Sequence, residues 1–117
     1  MLPVIYLFLV VLLIIVVFSY KFAWWKSAVD WKRPRVLMYH MVREHIDGAK
    51  FNKLRVTPAQ FEQQVAWMKA QGFHFVTMQE LQANWRQHPE KTVAITFDDG
   101  YLDNLENAYP ILEKFQA

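Results

Sequence analysis

The chain has 117 residues, a formal charge of +2 and no cysteine. Without thiols it has no disulfides, cysteine-zinc sites or thiol nucleophiles, and so small a charge, with no basic run beyond the first third, argues against nucleic acid as a partner. Every Lys, Arg, Asp and Glu lies after Tyr20, so the mean composition blends an apolar leader with a polar segment the size of one small domain.

The leader, Leu2 to Ser19, carries no charge and as a helix spans about 27 Å at roughly 1.5 Å per residue, close to the thickness of a bilayer's hydrocarbon core. A cleaved signal peptide wants a basic start and small residues before the cut. Met1-Leu2-Pro3 and Ser19-Tyr20-Lys21-Phe22-Ala23 match both poorly. The expectation is a retained transmembrane anchor over 1–20 and a juxtamembrane linker over 21–33. Tyr20, Trp24, Trp25 and Trp31 would sit among the lipid headgroups. Lys21, Lys26, Lys32, Arg33 and Arg35 all follow the span, and by the positive-inside rule they place the following segment in the cytoplasm.

Arg35-Val-Leu-Met-Tyr-His40 reads as a strand and the polar stretch 41–56 as a loop with a turn at Asp47-Gly48. Thr57-Pro58-Ala59-Gln60 opens a helix by a capping box with Pro at the first position. Its apolar stripe is Phe61, Val65 and Met68, and Gly72 ends it. Phe73 to Thr77 is a second strand, and Thr77-Met78-Gln79-Glu80 a second capping box for a helix to about Arg86. After a loop at His88-Pro89-Glu90, Thr92 to Phe97 is a third strand. Helical pattern follows Tyr101, and Pro110 is expected to begin a separate helical piece. Strands alternating with amphipathic helices predict an α/β fold of parallel β/α units. Three strands do not close a barrel, so the sheet is either small and open or the opening of a larger one.

Asp98-Asp99 ends the third strand, at the edge where parallel α/β folds place their ligands. Adjacent carboxylates resist joint ionisation. A divalent cation held by one would relieve that repulsion and leave the other to take a proton from water polarised by the cation. Gly100 permits a tight turn that brings the next N–H toward the site. Taken alone, Asp-Asp-Gly is equally an ordinary strand-ending turn. Of the histidines, His40 ends the first strand on the same rim, His45 lies in the loop, and His74 and His88 read as surface residues.

Thr96-Phe97-Asp98-Asp99-Gly100-Tyr101 resembles the first signature motif of the polysaccharide deacetylases, the NodB-homology carbohydrate esterases. The resemblance extends over 34–117: Val36 to His40 is similar to that family's first barrel strand, Thr57 to Phe61, Gly72-Phe73, Val76-Thr77 and Glu80-Leu81 to its next helix and strand, and Asn107 to Leu112 to the segment after the motif. It implies the first units of a distorted (β/α) barrel that removes N-acetyl groups from amino sugars of a polysaccharide or lipid-linked glycan with a divalent metal, often zinc. On that resemblance Asp98 is the general base, Asp99 a metal ligand, and the Tyr101 N–H an oxyanion donor, with His40 a further candidate on the rim. The family's downstream His-x-x-x-His has no counterpart here, which implies that these 117 residues alone are inactive. The resemblance also implies a bacterial inner membrane, with family members often extracytoplasmic where the basic flank favours the cytoplasm. Two other readings stand beside it. One is an inactive remnant that keeps its anchor. The other is a phosphotransfer enzyme using the paired Asp for magnesium, which lacks a Gly-rich phosphate loop.

Overall fold

The computed structural model describes all residues, 1–117. Helix α1 runs from Leu2 to Phe22 with Pro3 in its first turn, and ends where Ala23 turns left-handed and donates its N–H to the Ser19 carbonyl at 2.8 Å. None of its side chains is buried. It is long and apolar enough to cross a membrane.

Three parallel strands form the main sheet: β1 (Arg35–Tyr39), β4 (His74–Phe75) and β5 (Thr92–Phe97), in the order β1-β5-β4. The β-branched run Thr92-Val93-Ala94-Ile95-Thr96 takes the centre, where a strand pairs on both sides, and its first three residues are buried. Helix α2 (Pro58–Ala70) begins with the expected reciprocal cap between Thr57 and Gln60. It ends in a Schellman turn: Gly72, at φ 76°, donates to Lys69 O, and Phe73 donates to Met68 O. Helix α3 (Met78–Ala83) has the second reciprocal cap, Thr77 with Glu80. It stops short of Arg86 because Asn84 leaves the helical region and returns its side-chain amide to Glu80 O.

The stretch 41–56 is not a plain loop. Met41–Val42 (β2) and Arg55–Val56 (β3) pair in parallel, and Asn52–Leu54 form a short 3-10 turn. Asn52 closes the excursion by accepting from the Ile46 N–H and donating to its carbonyl. Two-residue ladders carry no readable period, so composition alone concealed them. The expectation for Pro110 also changes. A π-turn over Asn104–Ala108 runs directly into helix α4 (Tyr109–Phe115) with Ala108 and Tyr109 both right-handed helical, so Pro110 lies in one continuous helical path. The widened turn absorbs the missing N–H of proline.

The core lies between the sheet, α2 and the helix after β5: Val42, Phe61, Val65, Met68, Phe73, Val93 and Ala108. On β1, Leu37 and Tyr39 pack against it, whereas Val36 and Met38 are 48% and 58% exposed. The sheet thus has one covered face and one that β1 leaves open. Trp31, expected among headgroups, instead packs edge-on against Phe73 at 5.4 Å, because the linker folds back onto the domain.

Candidate functional site

All three strands of the sheet run the same way, so their carboxyl ends share one rim. Tyr39 is in register with Phe97, and Asp98 extends the ladder by donating its N–H to Tyr39 O at 2.9 Å. The two-residue alternation then puts Thr96 and Asp98 with Met38 and His40 on the face opposite Leu37 and Tyr39, the face left open. His40 and Asp98 are therefore neighbours across the rim. Asp98 and Asp99 are exposed and His40 half-buried.

Beyond Asp98 the backbone turns sharply. Asp99 at φ 67° and Gly100 at φ 62° are both left-handed. Asp tolerates this region better than most residues because its short carboxylate can bond locally, but it still carries strain of a kind that gathers at functional sites. Tyr101 follows, half-buried, and its carbonyl accepts the Asn104 N–H as the helix begins.

Four residues at this rim had no role legible in the sequence. Asp103, only 7% exposed, accepts the Val42 N–H at 3.0 Å, and Asn107 donates to Val42 O at 2.7 Å. One turn of helix thus holds both polar groups of a fully buried residue two positions after His40. Arg43 approaches Asp103 at 3.9 Å from a half-exposed position. Between them, Asn104 has a side-chain amide whose oxygen and nitrogen are both buried without a partner. The signal available was an i, i+4 Asp/Asn pair on a helix face, indistinguishable by type from solvated polar residues.

The other candidates scatter. His45 bonds the Arg55 carbonyl and His88 the Pro89 carbonyl, while His74 lies at the opposite, amino edge of the sheet. Tyr39 turns away from the open face and donates its hydroxyl to Gln64 Oε1 at 2.6 Å; burial pushes its phenol above the usual tyrosine range, so it stays a neutral donor. A groove of about 620 Å³ between β1 and α2, lined by Tyr39, Gln64 and Trp67, lies on that covered side, away from the carboxylates. A second cleft of about 650 Å³, lined by Arg43, Ile46, Tyr101, Leu102 and Glu106, borders the turn itself. No three His, Asp or Glu side chains converge to hold a metal ion. Zinc takes four ligands, so the donors gathered at this rim do not make a metal site by themselves.

Comparison with known proteins points one way. The family profile described as polysaccharide deacetylase matches residues 86–117. The polysaccharide deacetylase-type protein YxkH of Bacillus subtilis is 38% identical over 96 residues, 80% of this chain and 32% of that protein. The poly-β-1,6-N-acetyl-D-glucosamine N-deacetylase of Staphylococcus aureus is 38% identical over 92 residues, 68% of this chain and 32% of that protein. Among solved structures, IcaB from Ammonifex degensii superposes with a TM-score of 0.62 at 32% identity, covering 75% of this chain and 36% of its own. The chain spans about a third of the length of these relatives.

Proposed function

From the premise that this chain is part of a polysaccharide deacetylase, we propose that it contributes the base-bearing rim of a membrane-anchored, metal-dependent hydrolase that removes N-acetyl groups from the amino sugars of a polysaccharide. Residues 34–117 are the opening β/α units of a distorted barrel, and 1–20 the anchor that keeps it at a membrane. The observation that carries this reading is the placement of Asp98: on the ladder next to His40, at the carboxyl rim, exposed on the face that β1 leaves open.

Each residue of the rim has a separate task. Asp98 is exposed enough to take a proton from an attacking water and later return it to the leaving amine. Its backbone is tied to β1 by the N–H bond to Tyr39 O, which supports this assignment. Asp99, whose backbone is left-handed in the turn, would supply one ligand to a divalent cation such as zinc, the other donors coming from the remainder of the barrel. When bound, such a cation polarises the acetamide carbonyl and activates water. The Tyr101 N–H, at the end of the same turn, would donate to the oxyanion that develops on that carbonyl. His40 borders the base and can orient it or the sugar. The amide cleaved is a C–N bond outside any peptide, and the products are acetate and a free amino sugar.

The test replaces the matching segment of the Staphylococcus aureus deacetylase with residues 34–117 of this chain. Acetate release from poly-β-1,6-N-acetylglucosamine oligomers is then measured with added zinc. The chimera is expected to turn over, Asp98→Asn to lower kcat by about 10²–10⁴-fold, and Asp99→Asn to weaken zinc binding. An active chimera indifferent to Asp98→Asn would refute the assignment.

A further inference from the structure

The linker between α1 and β1 is tightly folded in its second half. The Arg35 guanidinium donates to Val29 O at 2.9 Å, Asp30 O at 3.3 Å and Arg33 O at 2.5 Å, gathering three linker carbonyls around one planar cation. It also lies 5.2 Å over the Trp31 ring. Trp31 stands edge-on to Phe73 at 5.4 Å, and its carbonyl accepts the Lys91 N–H at 2.9 Å. The Lys91 carbonyl in turn accepts the His74 N–H at 3.0 Å, and its ammonium reaches Gln71 O at 2.8 Å. Arg35 and His74 begin β1 and β4 and Lys91 immediately precedes β5, so one cluster ties the linker to the amino edge of the whole sheet. The fork of Arg35 suits this task, since a point cation would not hold three carbonyls in a plane.

The first half of the linker belongs to α1 instead. Trp24 donates its indole N–H to Ser19 Oγ at 2.8 Å, and Lys26 closes a turn on Ala23 at 2.8 Å. From Ala23 to Val29 the chain reaches at most about 20 Å. The catalytic candidates lie at the far end of β5, about 17 Å from its start at roughly 3.3 Å per residue.

We infer that Trp31, Arg35 and Lys91 form a clasp that sets the amino edge of the sheet against the membrane and turns the rim of His40, Asp98 and Asp99 away from it. The substrate is then a sugar on a polymer that enters from the aqueous side, not one attached to a lipid headgroup. This rests on α1 being a membrane span, as proposed above. Because the clasp fastens the tether at the amino edge, the rim stands a full strand length, about 17 Å, farther from the point of attachment.

The chain has no cysteine, so single labelling sites are unambiguous. Residues 1–117 are reconstituted in phosphatidylcholine vesicles carrying a headgroup acceptor dye, with a donor on Glu90→Cys at the amino edge or on Leu102→Cys beside the rim. Energy transfer is expected to be strong from position 90 and at least threefold weaker from 102. Equal, strong transfer from both would overturn the inference. Absence of transfer from both would instead remove the membrane reading on which it stands. Trypsin reads the clasp directly: Lys26 is cut first, and cleavage after Lys32 is at least tenfold slower. Trp31→Ala or Arg35→Ala abolishes that difference, and Arg35→Lys restores little of it. If Lys32 is cut as fast as Lys26 in the unaltered chain, there is no clasp.

Discussion

Asp103 is a carboxylate placed in the core, and its stability role separates it from the exposed acids five and four residues earlier. It satisfies the N–H of Val42, whose side chain is fully buried, and Asn107 satisfies the carbonyl of the same residue. Removing either leaves a buried backbone group unpaired, which costs about 1–3 kcal/mol. The Arg43 pair adds little, being long and half-exposed. Asp103→Ala and Asn107→Ala are therefore each expected to lower stability by about 1–3 kcal/mol, while Asp98→Asn leaves it nearly unchanged; chemical denaturation compares the three. A neutral Asp103→Ala would show that water reaches Val42. Sequence reasoning found Asp98 and Asp99 because adjacent acids closing an apolar strand are an unusual juxtaposition. It passed over Asp103 and Asn107 because their importance lies in what they face, and facing is decided by a strand about sixty residues away.

At the scale of elements, the chain's punctuation was its most legible feature. Both capping boxes formed as read, since they depend on residues three apart and on nothing distant. What was lost was short or cooperative: the paired β2 and β3, and a π-turn whose origin is the demand of Pro110 on the turn before it. The caps also yield a pH dependence. The Glu80 carboxyl is held below the usual glutamate range, first by the Thr77 N–H and then by its hydroxyl. A carboxylate with a lowered folded value adds stability above its unfolded value and loses it as pH falls through the folded one. Protection of the Thr77 amide from exchange should hold near neutrality and decline only below the ordinary glutamate range. Glu80→Gln should flatten that decline, and an unchanged profile would mean the bond does not exist in solution. At the other helix Thr57→Ala should cost about 1 kcal/mol, read as a shift in the denaturation midpoint.

For the molecule as a whole, the decisive fact is how little is buried. Twelve of 117 residues are below the surface, and that core serves a sheet with an open face and edges at β1 and β4. Short parallel ladders are individually weak, and an uncovered apolar face favours association over folding. The alternation of strands and helices was readable, and so was a sheet short of cover, but which face of β1 lacks a partner was not, because that depends on the packing of α2. The clasp bears on the same question. Sequence composition set a boundary at Pro34, yet Trp31 packs on Phe73 and its carbonyl accepts from Lys91, so the folded unit begins before β1. Residues 34–117, stripped of that contact, are expected to melt without a cooperative thermal transition and to bind an apolar dye. Residues 24–117 should be more protected, with Lys91 and His74 amides exchanging more slowly. A sharp transition in the shorter fragment would show that the three-stranded sheet stabilises itself, and the open face would then be a finished surface and not an unfilled one.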